Sequence, residues 1–482
     1  MKSANHCAVL IIAAAVCIVN IADAADKPYR RSFVNPYPRF KFYDDGVDPG
    51  KPLFLTPLIA NKSVPMEQVQ SLARVTGSQF HGVESYAGYL TVDKAYNSNM
   101  FFWYFPSETD PDYAPVVLWL QGGPGASSLF GLLTENGPLE LDGQGKLQKR
   151  NYTWSKTHNL IYIDNPVGTG FSFTDNDKGY ATNERDVGRN LHEAMMQLYE
   201  LFGWGNSSGF WVTGESYAGK YVPALAHHIH KVQNAIDTRV YIPLKGVAIG
   251  NGLSDPLHQL KYGDYLYQLG LIDDNGLLQF HEAEKKGAEC IEKRDMDCAF
   301  DVFDSLINGD MTNGSLFSNL TGYNWYYNYL NTHPDPGDAK LGEFLQSGAT
   351  RRAIHVGKQP FHDLDKENKV EEHLKKDVMD TVAPWIAELL NFYTVCIYSG
   401  QLDIIVAYPL TRNYLKQLKF PGSEQYKVAP REIWRVDGEV AGYVKHARHL
   451  VEIMVRNAGH MAPHDQPKWL YNMINHLTHY KH

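Results

Sequence analysis

An α/β fold with a mostly parallel central sheet is predicted by three observations on this sequence. Six short apolar runs each end in a glycine-bearing turn: APVVLWLQGGPG, NLIYIDNPVG, GFWVTGESYAG, LKGVAIGNG, YTVCIYSGQLD and VEIMVRNAGHM. Their apolarity is continuous and not alternating, which suits strands covered on both faces. Between two of them lies ERDVGRNLHEAMMQLYELF, where Val187, Leu191, Met195, Leu198 and Phe202 recur at helical spacing and mark an amphipathic crossover helix. Strand–helix alternation of this kind builds a parallel sheet. In such sheets ligands bind beyond the carboxyl ends of the strands, and every conspicuous polar or glycine motif of this chain falls there.

Residues 1–24 read as a signal peptide, with Lys2, an apolar run from Ala8 to Ile21, and small residues at Ala22 and Ala24 that suit cleavage before Ala25. The run is shorter than the roughly 20 apolar residues of a membrane span, so no membrane association is expected after cleavage. A Pro-rich, aromatic leader fills residues 25–85. The core is expected in two parts, residues 86–254 and 386–482. Residues 86–105 read as a β-hairpin with Asn97, Ser98 and Asn99 as the turn. Pro223 predicts that the helix after Ser216 begins near Tyr221 or kinks there. Residues 255–385 break the rhythm with two cysteines, the aromatic cluster YNWYYNYL and a charged stretch. They read as a mostly helical cap inserted over the strand ends.

The 482 residues are 44% hydrophobic and 21% charged, an ordinary globular balance. A net charge of −9 without a basic run argues against nucleic acid as a partner. Cys7 and Cys17 leave with the signal peptide, Cys290 and Cys298 are expected to pair in an oxidising compartment, and Cys396 reads as a buried thiol. Asn-x-Ser/Thr sequons at Asn61, Asn151, Asn206, Asn313 and Asn319 point to a glycoprotein of the secretory pathway, secreted or lysosomal/vacuolar. No HExxH occurs, and His446 with His449 or His460 with His464 is too sparse a pairing for zinc. No metal and no cofactor are expected.

The chemistry centres on Gly214-Glu215-Ser216-Tyr217-Ala218, which follows a strand and precedes a helix. A sharp turn there lifts the Ser216 hydroxyl above the sheet, as in the G-x-S-x-G nucleophile elbow, from which Ala218 departs in the last place. A serine nucleophile needs a base and a group to orient that base. Asp403 and His460 each follow a later apolar run on a short glycine-bearing loop, and the order Ser…Asp…His is that of α/β-hydrolases. Gly122 and Gly123 lie just beyond another strand, where bare N–H groups can join that of Tyr217 in facing a developing negative charge.

These motifs, with ENGP and NAGHMAPHDQP, resemble in order the motif set of the serine carboxypeptidases, above all their vitellogenic-like branch, from about residue 86 to the C-terminus. The resemblance implies an exopeptidase acting on peptide or protein C-termini through an acyl-enzyme. Ser216 would be the nucleophile, His460 the base and then acid, Asp403 its orienter, and the N–H groups of Gly123 and Tyr217 the oxyanion hole. It further implies a substrate-carboxylate set at Gln121, Gly122, Glu135 and Glu215. Two glutamates near an anionic chain end make sense only when crowding raises a pKa, so that a protonated acid donates a hydrogen bond. Acidic conditions would then favour the reaction. A homodimer is compatible with the resemblance. Three departures stand out: Ala126 where the family often has Cys, Gln121 where other branches have Asn, and Asn165 where Gln is common. Ala126 implies a missing disulfide to the cap. Two other readings use the same residues, an acyltransferase on this scaffold and a non-catalytic secreted glycoprotein with a protective or storage role.

Overall fold

In a computed structural model, which describes residues 45–233, 239–309, 314–333, 339–362 and 369–479, each of the six apolar runs forms a strand. The signal peptide, the first part of the leader and the sequon at Asn313 lie outside the described residues. The strands are β1 (Tyr86–Asp93), β2 (Ser98–Phe105), β3 (Val116–Leu120), β4 (Leu139–Leu141), β5 (Leu147–Lys149), β6 (Asn159–Ile163), β7 (Phe210–Glu215), β8 (Leu244–Gly250), β9 (Thr394–Gly400), β10 (Glu432–Val436), β11 (Glu439–Ala447) and β12 (Leu450–Val455). Ten of them form one sheet in the order β1-β2-β6-β3-β7-β8-β9-β12-β11-β10, and β4 pairs with β5 separately. The six apolar runs make its parallel centre, β6-β3-β7-β8-β9-β12. Antiparallel pairs flank it at both edges.

Burial explains why those runs lack alternation. Val117 and Trp119 of β3 join Trp103, Phe105 and Tyr162 in an apolar cluster with Leu470, Ile474 and Leu477 of the C-terminal helix Pro467–His479. The intervening Val116, Leu118 and Leu120 are equally buried. Successive side chains of a strand point to opposite faces, so these lie on the other face, where the helices Glu184–Phe202 and Ala218–Val232 pack together. In the crossover helix Val187, Leu191, Met195 and Leu198 are buried as their spacing requires. Asn183 caps it through the N–H groups of Arg185 and Asp186, and Gly203 closes it at φ 66°. A cap of that kind stabilises by about 1 kcal/mol.

Two local expectations are corrected. Ser98 and Asn99 are strand residues, and the hairpin turn is Lys94–Asn97. Asn99 exchanges backbone bonds with Phe173, and Ser98 Oγ donates to Thr174 Oγ1 at 3.0 Å. Tertiary pairing overrides their turn preference. Of the two readings for the helix after Ser216, the late start near Tyr221 is the one corrected: the helix begins at Ala218 and runs through Pro223. A proline there leaves the carbonyl four residues earlier without its N–H donor. That carbonyl belongs to Gly219, and it accepts the Ser254 hydroxyl at 2.9 Å instead.

Between β8 and β9 the described residues form helices and loops. Cys290, near the end of the helix Asp274–Glu292, is disulfide-bonded to Cys298 in the helix Met296–Phe303. Cys396 is a buried free thiol in β9. Among the described residues no helix is long and apolar enough to cross a membrane.

Candidate active site

Parallel register brings five strand ends level. Leu120 of β3 pairs with Gly214 of β7, Glu215 with Gly250 of β8, Gly250 with Tyr398 of β9, and Gly400 with Val455 of β12. The loops that leave these ends carry Gln121, Ser216, Asn251, Asp403 and His460. Three of those loops hold a non-glycine residue at positive φ: Ser216 at 67°, Asn251 at 40° and Asn457 at 54°. Each such residue costs on the order of 1–3 kcal/mol and persists only where its surroundings fix it. At Ser216 they do. Its N–H donates to Gly250 O at 3.0 Å, and its carbonyl accepts from Gly219 N and Leu253 N at 2.9 and 3.0 Å. The partly exposed side chain therefore stands at the N-terminus of a 15-residue helix, where the helix dipole favours negative charge.

The structure brings the other predicted residues to this point. His460 Nδ1 lies 2.9 Å from Asp403 Oδ2, and both side chains are fully buried. The same oxygen accepts from Asn251 Nδ2 at 2.7 Å and Val406 N at 3.2 Å, so the imidazole is the donor in this contact. His460 Nε2 is buried without a hydrogen-bond partner among the described residues. The loop after β3 closes on the elbow. A Cβ at Gly122 would lie 2.5 Å from Tyr217 N and 2.6 Å from Ser216 Cβ, so only glycine permits this approach. Gly123 holds φ at 109°. Tyr217 precedes the helix, and its N–H belongs to the end that helical bonding leaves unpaired.

Gln121, Glu135 and Glu215 converge as a buried set. Gln121 Nε2 donates to Glu135 Oε1 at 3.1 Å and to Glu215 Oε1 at 2.9 Å. Its Oε1 accepts from Trp119 Nε1 at 2.9 Å, which fixes the orientation of the amide. All three residues have no solvent exposure. Burial pushes the Glu135 carboxyl up to about 7. It raises Glu215 well above the usual carboxylate range, and the neighbouring Glu135 raises it further. Two like charges in one dry site cannot both ionise near neutral pH.

Three contributors escaped the sequence reading. Asn251 lies in the Gly-Asn-Gly end of β8 and joins Asp403 to Gly400, whose N–H its Oδ1 accepts at 3.0 Å. Asp164 accepts from Ser127 Oγ at 2.5 Å, Ser128 N at 3.2 Å and Phe171 N at 2.8 Å, and so ties the loop after β3 to the loop after β6. Tyr327 of the insertion lies against His460, their ring centroids 4.9 Å apart. Asn165 is fully buried, with neither amide atom partnered among the described residues. Among the described residues no group of three or more His, Cys, Asp or Glu could hold a metal ion. The sequon residues Asn61, Asn151, Asn206 and Asn319 are exposed.

Comparison with known proteins gives the family and the fold. The chain is 52% identical to the venom serine carboxypeptidase of Apis mellifera over 457 residues, 94% of this chain and 97% of that protein. It is 49% identical to the vitellogenic carboxypeptidase of Aedes aegypti, over 89% of this chain and 90% of that one. Among solved structures, a prohormone-processing carboxypeptidase of Saccharomyces cerevisiae, KEX1(DELTA)P, shares the fold. Its TM-score is 0.72 at 21% identity, over 84% of this chain and 95% of the other. That fold is the α/β-hydrolase fold. Residues 76–480 match the family description Peptidase_S10, serine carboxypeptidase, and the chain belongs to that family of hydrolases.

Proposed function

We propose that this chain releases single C-terminal residues from peptides through an acyl-enzyme on Ser216, fastest in acid. The observation that carries the reading is the buried Glu135–Gln121–Glu215 set beside the elbow. Ser216 Oγ attacks the scissile carbonyl and passes its proton to His460 Nε2. Asp403 holds Nδ1–H and balances the imidazolium that forms. The carbonyl oxygen becomes an oxyanion facing the N–H groups of Gly123 and Tyr217, a term worth about 3–4 kcal/mol per donor in such sites. His460 then protonates the leaving amine, and water releases the acyl group by the same path.

The departing residue carries a free carboxylate. Gln121, Gly122, Glu135 and Glu215 are the groups assigned to hold it. Ionised glutamates would repel it, whereas protonated ones donate hydrogen bonds to it. Because burial raises both acids, the proton is present below about pH 7 at Glu135 and is lost as pH rises through that value. Turnover of free-acid substrates is therefore expected to fall above neutrality. The exposed sequons, the disulfide and the N-terminal apolar run support a glycoprotein of the secretory route, secreted or lysosomal/vacuolar.

The test uses the purified protein with a blocked dipeptide and its C-terminal amide across acidic to neutral pH, with Ser216→Ala as control. Acid-favoured cleavage of the free acid, lost in the control, is the expected result. Equal cleavage of acid and amide would remove the carboxylate-binding assignment. Cleavage that survives Ser216→Ala would remove the nucleophile.

A further inference from the structure

The aromatic cluster of the insertion does not form an outer surface. Trp325, Tyr326 and Tyr327 are 4, 5 and 6% exposed. The backbone from Tyr326 to Tyr329 is bonded to both the Asp403 loop and the His460 loop. Tyr326 O accepts from Ile404 N at 3.1 Å and Ile405 N at 3.2 Å, and Tyr329 N donates to Leu402 O at 2.9 Å, so these bonds bracket Asp403. Between them, Tyr327 O accepts from His460 N at 2.6 Å. The Tyr327 ring lies on the imidazole with the planes tilted by 51°. Asp465 Oδ2 closes the far side, accepting from Gly459 N at 2.6 Å and Asn328 Nδ2 at 3.3 Å. A Cβ on Gly459 would stand 2.3 Å from Tyr327 O, so the segment and the base loop touch through a glycine.

We propose that Tyr327 is a positioning residue for the Asp403–His460 pair, and that Tyr326–Tyr329 is a strut from the insertion that sets the spacing of the two loops. The inference rests on the assignment of Ser216, Asp403 and His460 as the catalytic groups. The pair spans the ends of β9 and β12, and each member sits on a loop that leaves its strand only a few residues earlier. Strand register fixes where those loops begin, not where the imidazole ends. A misplacement of about 1 Å costs roughly 100-fold in rate. The strut removes that freedom with hydrogen bonds to both loops and one ring contact. It also couples the insertion to the chemistry, because a shift of the insertion moves Asp403 and His460 relative to each other.

The test measures kcat and KM on the blocked dipeptide, with rates expressed per site titrated by an organophosphonate and folding checked by thermal melting. Tyr327→Ala is expected to lower kcat about 30- to 100-fold with KM changed less than about twofold. Tyr327→Phe, which keeps the ring, recovers most of the loss. Gly459→Ala pushes the base loop off the Tyr327 carbonyl and so displaces the same imidazole by a second route. The double variant therefore loses far less than the product of the two single losses. If Tyr327→Ala yields no titratable sites, Tyr327→Leu fills the space without a ring and takes its place, with an expected loss of about tenfold. Wild-type kcat per site in the Ala or Leu variant, failure of Phe to restore it, or a multiplicative double variant would overturn the strut. Activity retained in Ser216→Ala would overturn the underlying assignment instead, and the two failures are thereby distinct.

Discussion

Two buried carboxyl sites stand at the same edge of the sheet and are built in opposite ways. At one, a single oxygen of Asp403 accepts three hydrogen bonds, from His460, Asn251 and the Val406 amide. At the other, Glu135 and Glu215 each take one hydrogen bond from the single shared amide nitrogen of Gln121, while the second oxygen of all three carboxyls has no hydrogen-bond donor among the described residues. All three carboxyls are equally buried. Burial alone therefore does not distinguish them; the supply of donors does. Crowding with a second acid favours the neutral form of the glutamates. One edge thus offers an acceptor that can orient a base beside a pair of acids that can donate. The proposed reaction assigns the first to the scissile bond and the second to the terminal carboxylate.

The largest expected effect comes from abolishing the acceptor. Asp403→Asn presents an amide N–H₂ or a weaker oxygen to His460 Nδ1 and favours the wrong tautomer. Steady-state kinetics on the blocked dipeptide should record a fall in kcat of roughly 10⁴-fold with little change in KM. A loss below about tenfold would mean that Asp403 is no more specialised than the glutamates.

The next effect comes from removing titration at the other site while keeping a donor. In the unaltered protein the ratio of free-acid to amide cleavage should fall as pH rises through about 7. Glu135→Gln carries N–H donors at every pH, so its ratio should decline less. Above neutrality it should exceed that of the parent by about tenfold, the worth of one charge-assisted hydrogen bond. Stability gives the same comparison a second readout. A carboxyl whose folded pKa is raised contributes stability fully below its unfolded value, here 4.5, and loses it as pH rises toward about 7. The melting temperature of Glu135→Gln relative to the parent should therefore climb across that window, by the equivalent of on the order of 3 kcal/mol or less at its upper end. A flat difference would show that Glu135 does not titrate in the fold.

Much of this was legible in the sequence because a doubly covered parallel sheet imposes continuous apolar runs, and glycine marks where each run ends. Ser216, Asp403 and His460 could be placed on three loops at one edge from that pattern alone. Glu135 could not. It lies on a five-residue π-helical turn, Leu132–Asn136, 14 positions from Gln121, and no periodicity aims it at Glu215. Its assignment came from resemblance. Asn251 and Tyr327 were hidden for a related reason, since their partners stand far along the chain. Asn251 meets Asp403 across 152 positions, and Tyr327 reaches the site through an insertion whose local pattern is only aromatic. The proline in the helix misled because its remedy, Ser254, arrives 35 residues after the carbonyl it satisfies. Local propensity has no access to such pairings; the tertiary fold supplies them.

The smallest effect sharpens the comparison by moving Asp403 one step toward the glutamates. Asn251 supplies one of its three donors and holds a backbone φ of 40°. Glycine accepts that conformation without strain, so Asn251→Gly removes the side chain and leaves the turn. Asp403 Oδ2 then keeps two donors, and the Gly400 N–H loses its acceptor. An unsatisfied buried group costs about 1–3 kcal/mol, which should appear as a lowered melting temperature. The carboxylate would also be less firmly aimed at Nδ1. A fall in kcat of about tenfold, far short of the loss in Asp403→Asn, is expected. The residual activity matters most. If it equals that of Asp403→Asn, the whole orienting function depends on the asparagine, and the number of donors is not what separates the two carboxyl sites.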